Sequence, residues 1–181
     1  MTESSAGPWA SAYHAPVLAD EVVGLLAGAR SVLDGTLGGG GHSLALLESG
    51  SDVTAIDRDP EAISAAKRRL ASHEIEGRFR TVLGNYADVD QIPELDGRRF
   101  DGILLDLGVS SPQLDEAARG FSFMQDGPLD MRMDNESGQT AAQWLRHATE
   151  REIADTLFQL GEERFARRIA RAVIASRRIA P

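Results

Sequence analysis

The sequence contains no cysteine among its 181 residues. Disulfide frameworks, thiolate metal sites and cysteine nucleophiles are therefore all excluded. Spaced metal ligands are lacking too, because His42 stands beside a run of glycines without histidine or acid partners, so no metal site is predicted. The fold must depend on a hydrophobic core, and a chain of 181 residues that is 42% hydrophobic can bury one in a single domain with an appendage.

Long apolar runs are also missing. No run approaches the length of a membrane span. Residues 1–12 are small and polar, without the basic region and apolar run that mark a signal peptide. We therefore expect a cytoplasmic protein whose residues 1–12 form a flexible tail.

Positive charge is scarce, since the formal net charge is −9. This excess of acid argues against a uniformly basic nucleic-acid-binding protein. Residues 161–181 nevertheless hold six arginines against two glutamates, a net charge of +4, so the remaining 160 residues carry −13. Any contact with nucleic acid should therefore be local, and the alternative is a solvated helix face rich in arginine.

Strand and helix patterns alternate over the first 106 residues. Apolar runs predict strands at 31–34, 52–57, 79–83 and 102–106. Between the second and third of these, Asp59 and Pro60 mark a helix start, with the acid as N-cap and the proline at the first helical position. The alternation predicts a Rossmann-like α/β fold, a parallel doubly wound sheet in the order 3-2-1-4, with a ligand crevice beyond the carboxyl ends of its strands.

The run Ile103-Leu104-Leu105 is the kind expected where both faces of a sheet are covered. No strand is predicted after it, and from Thr140 the pattern is helical. This leaves a sheet edge open, which invites association. Either copies of the chain associate there or the missing strands lie beyond Pro181, and we favour the second. The predicted organisation is a core over 13–112 and a truncated helical insert over 113–181.

A glycine-rich loop follows the first strand with the spacing Asp34-x-x-x-Gly38-x-Gly40. Glycines at a strand-to-helix turn let a ligand approach the backbone. The dinucleotide pattern G-x-G-x-x-G fails at Ser43. An acid four residues before two alternating glycines is typical of the S-adenosylmethionine loop of Rossmann-like methyltransferases. A structural turn, a nicotinamide-dependent oxidoreductase and a non-catalytic nucleotide-binding regulator are the alternatives.

Polar residues follow the other predicted strands. Asp57 ends the second strand, where an acid accepts hydrogen bonds from ribose hydroxyls. Tyr86 either packs its ring against an adenine base or belongs to the core. His42 either reaches the carboxylate of a bound methionine group or completes the turn.

The loop from Asp106 to Gln113 lies where methyltransferases that act on exocyclic amines present their substrate. The lone pair of a base amine is conjugated into the ring, so the amine is a poor nucleophile. Asp106 is therefore the candidate catalytic residue, an acceptor that holds the amine N–H so that most of the rate gain comes from positioning. The loop lacks the Pro-Pro pair and aromatic ring common in such enzymes, which leaves this role open.

Long motifs across the chain closely resemble the RsmH (MraW) family. They are His14–Leu18, Asp34–Ser43, Ala55–Pro60, Asp101–Asp115, Arg119–Phe123, Gly127–Asp134 and Gly161–Ala170. The resemblance implies an S-adenosyl-L-methionine-dependent enzyme that methylates N4 of a cytidine in the decoding region of small-subunit (16S) ribosomal RNA.

The resemblance also implies a set of cofactor-binding residues. They are Gly40, Gly41, His42, Asp57, Tyr86, Asp106 and Gln113. Because it places Asp106 on the cofactor, the role of Asp106 as amine acceptor becomes less secure. Family members are much longer and insert a helical substrate-recognition domain after the fourth strand, so we expect this chain to end inside that insert.

Two later segments have alternative interpretations. We expect the aromatic residues of Gly120–Met124 to pack under the insert rather than to stack on bases. A predicted helix over Glu162–Arg178 places Phe165, Ile169 and Val173 on one face. The arginines that flank this face are candidates for phosphate contacts, and they are Arg164, Arg168 and Arg171.

Overall fold

The computed structural model describes Trp9 and residues 16–109, 111–135 and 137–177. Apart from Trp9, the predicted tail over 1–12 lies outside the described residues, as do His14 and Ala15. The chain divides into two compact units, the first reaching to residue 115 and including 133–135, the second containing the rest.

The first unit is built on a parallel four-stranded sheet in the order β3-β2-β1-β4. The strands are β1 (Ser31–Asp34), β2 (Asp52–Asp57), β3 (Phe79–Leu83) and β4 (Gly102–Leu104). The predicted strand order and the first three strands are confirmed. The fourth strand ends at Leu104, two residues earlier than predicted, so Asp106 lies in the loop that follows it.

Five helices precede, connect or follow these strands in the described part of the unit. They are α1 (Ala19–Leu25), α2 (Gly41–Glu48), α3 (Pro60–Arg69), α4 (Ala71–Ile75) and α5 (Ser111–Asp115), with 3-10 turns at Tyr86–Gln91 and Pro93–Leu95. The predicted start of α3 is confirmed, because the Asp59 carboxylate accepts a hydrogen bond of 2.9 Å from the backbone N–H of Glu61.

The core of this unit lies on both faces of the sheet. Successive side chains of a strand point to opposite faces, so each strand contributes to two clusters. Val32, Val53 and Phe79 pack with residues of α2 and α3. Leu33 and Ile56 pack with Leu95 of the second 3-10 turn.

The expectation that Ile103-Leu104-Leu105 is covered on both faces is wrong for two of its residues. Ile103 is 64% exposed and Leu105 is 46% exposed, although Leu104 is partly buried against the core. β4 pairs with β1, and no strand in the described part of the chain pairs with its other edge.

The second unit is helical in its described part. Its helices are α6 (Ala141–His147), α7 (Glu150–Gly161) and α8 (Ala166–Ser176), preceded by a 3-10 turn at Ala117–Arg119. Thr140 and Thr149 start α6 and α7, each with a capping box that satisfies the first backbone N–H groups. Among the residues that the structure describes, no helix is long and apolar enough to cross a membrane.

The helix predicted over 162–178 begins later than expected. Glu162 has a φ of 50° in the left-handed region and ends α7, and α8 starts only at Ala166. Val173 packs in the core of this unit, whereas Phe165 is 58% exposed. The predicted apolar face is therefore only partly buried.

The aromatic loop of the second unit also differs from expectation. Phe123 is 97% exposed, so the expectation that the aromatic residues of this segment pack under the insert is wrong for it, and the neighbouring Met124 is 91% exposed as well. The Ser122 hydroxyl accepts hydrogen bonds from the backbone N–H groups of Met124 and Gln125, which fixes a local turn at this point.

A buried acid lies at the end of β1. Asp34 is 1% exposed, and its carboxylate accepts hydrogen bonds from the Thr36 N–H (3.1 Å) and the Ser43 hydroxyl (2.7 Å). Burial raises the pKa of Asp34, and the two hydrogen bonds oppose that rise without cancelling it. Burial at this position therefore disfavours the charged form of the carboxyl group.

Replacing Asp34 with Asn should change how stability depends on pH. Folding raises the pKa of Asp34 above its ordinary value of 3.8. The contribution of this group to the free energy of unfolding is therefore fully present below pH 3.8 and is lost as the pH rises through the folded-state pKa. The stability of Asp34→Asn relative to wild type should therefore increase from pH 4 to pH 8. Denaturant unfolding of both proteins across this range measures the difference, and a constant difference would contradict the prediction.

Candidate active site

A cavity of about 310 Å³ opens at the carboxyl ends of the strands, as the topology requires. The loops after all four strands contribute to its lining. Of the residues predicted for the site, six line this cavity: Gly41, His42, Asp57, Tyr86, Asp106 and Gln113. The tertiary structure thus brings together residues that are up to 72 positions apart in the sequence.

Gly40 is the predicted site residue that does not line the cavity. It adopts a φ of 73°, and a Cβ placed on it would lie 3.2 Å from Leu70 Cδ1 and 3.3 Å from Ala66 Cβ. Its missing side chain lets the loop pack against the end of α3. The cavity is lined instead by other residues of this loop that are absent from the predicted set of cofactor-binding residues: Gly35, Thr36, Leu37, Gly38 and Gly39.

Asp57 holds the glycine loop in place. Its Oδ2 accepts a hydrogen bond of 2.8 Å from the Gly38 N–H, and its Oδ1 accepts one of 2.9 Å from the Asp59 N–H. Burial raises the pKa of Asp57, and these hydrogen bonds oppose the rise. A carboxylate has about four acceptor positions, so Asp57 retains capacity for a hydroxyl of a ligand.

His42 and Asp106 lie at another part of the cavity wall. The His42 ring places Nε2 2.9 Å from the Val17 carbonyl oxygen and Nδ1 3.6 Å from Asp106 Oδ2. The Asp106 N–H donates to the Thr36 hydroxyl at 2.7 Å, which fixes the backbone after β4 against the glycine loop. The sequence analysis missed Val17 and Thr36, whose residue types carried no chemical signal.

Tyr86 and Gln113 complete the predicted set. Tyr86 is 40% exposed in the cavity wall, so the interpretation that it is a core residue is wrong. Gln113 is buried, and its side-chain amide donates to the Asp59 carboxylate at 3.4 Å. Asp59, identified from sequence only as a helix cap, therefore also positions Gln113.

Both acidic and basic residues line the cavity. Asp57 and Asp106 contribute carboxylates to the lining, and Arg58 contributes a guanidinium group. In the described part of the chain, no group of three or more histidine or acid side chains is placed to hold a metal ion. The arrangement suits an organic ligand with hydroxyl groups, from which the two carboxylates can accept hydrogen bonds.

Comparison with known sequences gives a consistent result. Residues 11–181 match the MraW methylase family. The chain is 47% identical over 169 residues to the ribosomal RNA small subunit methyltransferase H of Gemmatimonas aurantiaca, and 48% identical over 174 residues to that of Alcanivorax borkumensis. Each match covers 93% of this chain and 54% of the relative. The chain thus spans about half the length of the curated relatives it matches.

Solved structures that superimpose on the chain include two methyltransferases. An SAH-bound methyltransferase of Podospora anserina gives a TM-score of 0.42 at 17% identity, covering 49% of this chain and 39% of that one. The CcbJ methyltransferase of Streptomyces caelestis gives a TM-score of 0.39 at 26% identity, covering 47% of this chain and 34% of that one.

Substituting alanine for Gly40 should destabilise the protein more than the same change at Gly28. Both glycines have a positive φ, so each substitution should cost about 1–2 kcal/mol of backbone strain. Only at Gly40 does the new methyl group meet neighbours, since no heavy atom lies within 4 Å of the Cβ position at Gly28. Denaturant unfolding of Gly40→Ala and Gly28→Ala compares the two, and an equal loss would contradict the packing role of Gly40.

Proposed function

This chain belongs to the MraW methylase family, and on that premise we propose that it methylates N4 of a cytidine in the decoding region of small-subunit (16S) ribosomal RNA with S-adenosylmethionine as methyl donor. The curated relatives carry the name ribosomal RNA small subunit methyltransferase H, which supports the substrate class. The observation that carries the proposal is the convergence of six predicted cofactor residues on one cavity.

The cavity fits an adenosyl amino acid. Asp57 offers acceptor capacity for the ribose hydroxyls, and Tyr86 offers a partly exposed ring beside it for the base. The glycine loop brings backbone rather than side chains to the ligand. When bound, S-adenosylmethionine supplies a methyl group activated by a positively charged sulfur.

We assign the cofactor contacts to the predicted residues that line the cavity. Gly40 instead lets the loop pack against the end of α3. Asp106 keeps its proposed second role as the acceptor that holds the substrate amine. A carboxylate has two oxygens, so one can face the cofactor while the other accepts an amine N–H. The rate gain would come from positioning the amine for in-line attack.

The proposed partner is ribosomal RNA, contacted in part by the arginines of the second unit. Arg168 is exposed and its guanidinium lies 4.7 Å from the centre of the Phe165 ring, which orders a cation on the surface. Arg171 lies 3.2 Å from the Glu150 carboxylate, so part of its charge is already compensated. Arg168, together with the exposed Arg164, is therefore a better candidate for phosphate contacts than Arg171.

Three further assignments belong to the same proposal. We propose a cytoplasmic enzyme with a methyltransferase core over 13–112 and a substrate-recognition insert that begins at 113. Association of copies through the open edge of β4 stays a prediction. The alternatives of an oxidoreductase and a non-catalytic regulator have no specific observation in their favour.

Removing the Asp57 carboxylate should weaken cofactor binding. A hydrogen bond to a charged group contributes roughly 1.5–3 kcal/mol, so Asp57→Ala should bind S-adenosylmethionine and S-adenosylhomocysteine about tenfold more weakly or worse. Isothermal calorimetry measures both ligands. Asp90→Ala, which removes the same charge from an exposed position outside the cavity lining, is the matched control. Unchanged affinity in Asp57→Ala would count against the ribose role.

Deleting the reading frame that encodes this chain tests the activity in the source organism. The proposed function predicts that N4-methylation of one cytidine in small-subunit ribosomal RNA disappears and that the intact reading frame restores it. Mass spectrometry of the digested RNA measures the modification. Persistence of all N4-methylcytidine in the deletion strain would show that the protein does something else.

A further inference from the structure

Four consecutive glycines, Gly38–Gly41, lead from β1 into the first turn of α2. Glycine loses more conformational freedom on folding than any other residue, so such a loop keeps one shape only where neighbouring groups hold it. In the described part of the chain, two side chains hold these glycines by hydrogen bonds, Asp57 from the end of β2 and Arg69 from the end of α3. Asp57 lines the cavity, whereas Arg69 lies outside its lining.

Arg69 fixes the orientation of one peptide group in the loop. Its Nη1 donates a hydrogen bond of 3.0 Å to the Gly39 carbonyl. The N–H of the same peptide group belongs to Gly40 and donates to the Leu37 carbonyl at 2.8 Å. Because a peptide group is planar, hydrogen bonds at both of its polar atoms set its orientation. Gly39 lines the cavity, so Arg69 determines how this part of the backbone faces a ligand.

The same guanidinium group holds a second carbonyl. Its Nη2 donates to the backbone carbonyl of Trp9. The indole Nε1 of Trp9 donates in turn to the carboxylate of Glu48, the last residue of α2, at 2.6 Å. A guanidinium presents its donors in a fixed planar fork, so the positions of the two carbonyls depend on each other. Trp9, which precedes every helix and strand of the structure, is thereby connected to the glycine loop.

The hydrogen bonds that Arg69 makes are charge-assisted. Arg69 is half-buried, and burial lowers the pKa of its guanidinium group while the nearby Glu48 carboxylate opposes that change. Arginine stays protonated in proteins even so. Hydrogen bonds with an ionised donor are roughly twice as strong as those between neutral groups. Loss of this side chain should therefore release the Gly39 carbonyl more than loss of a neutral donor would.

We propose that Arg69 is a positioning residue of the cofactor site, which holds Gly39 in the geometry that binds the cofactor and which Trp9 holds in place. The identity of the cofactor rests on the proposed function. Neither side chain touches the ligand. Arg69 acts through the Gly39 carbonyl, and Trp9 acts through Arg69.

Replacing Arg69 with Met tests the first part of this inference. Met keeps a long apolar side chain but removes the charge and every donor. Arg69→Met should bind S-adenosylhomocysteine about fivefold more weakly or worse, in the range of couplings between distant sites. Isothermal calorimetry measures the affinity. The matched control is Arg68→Met, the same change at the neighbouring exposed residue of α3, which should bind as the wild type does.

The affinity of the folded protein separates positioning from a merely structural role. If Arg69 only stabilises the fold, Arg69→Met lowers the melting temperature of the ligand-free protein and leaves the Kd of the folded protein unchanged. That result would overturn the inference. Arg69→Lys, which keeps a charged donor for the Gly39 carbonyl, should restore part of the affinity lost in Arg69→Met.

A double-mutant cycle tests the second part. Trp9→Ala removes the indole that holds the Trp9 carbonyl near Arg69. It should weaken binding of S-adenosylhomocysteine in the wild-type background and have little further effect in Arg69→Met, because residues that act through one contact are not additive. Fully additive losses would show that Trp9 acts independently of Arg69 and would overturn this part of the inference.

The outcomes also distinguish this inference from the proposed function. If the wild-type chain binds S-adenosylhomocysteine and Arg69→Met binds it equally well, the positioning role is wrong while the proposed cofactor stands. If the wild-type chain does not bind S-adenosylhomocysteine, the proposed cofactor fails and the positioning role fails with it.

Discussion

The hydrogen bond from the Gly38 N–H to the Asp57 carboxylate is the contact on which the cavity depends. It joins the loop after β1 to the end of β2, where the Leu37 N–H also donates to the Ile56 carbonyl at 3.0 Å. On the other side, the Gly35 N–H donates to the Leu104 carbonyl at 2.9 Å. The glycine loop thus extends the hydrogen-bonding pattern of the sheet beyond its strands, and this fixes the wall that faces the ligand.

Building the cavity wall in this way costs free energy, because acidic side chains are buried. Asp34 is almost wholly buried, Asp57 is partly buried, and burial raises the pKa of each. Backbone N–H groups and the Ser43 hydroxyl offset part of that cost. Of the two, Asp57 lines the cavity, and carboxylates with a raised pKa in a cleft are common at functional sites. The core clusters on both faces of the sheet supply the stability that tolerates them.

The two units differ in where their polar and apolar side chains lie. In the first, polar residues converge where parallel strands end, so the site follows from topology. In the second, capping boxes and a small apolar core define the helices, while Phe123, Met124 and Phe165 remain exposed. Their exposure explains why expectations based on burial were wrong in this unit.

The sequence by itself indicated the first three strands, the start of α3 and the acids Asp57 and Asp106 near strand ends, because these depend on local signals: apolar runs and an Asp-Pro helix start. The wider set of site residues came from the resemblance to a known family. Tertiary structure decided what no local pattern encodes. It placed Gly40 against α3, tied Gln113 to Asp59, and set His42 between Val17 and Asp106. The physical reason is that a hydrogen bond or a close approach depends on the relative positions of distant segments, and only packing fixes those positions.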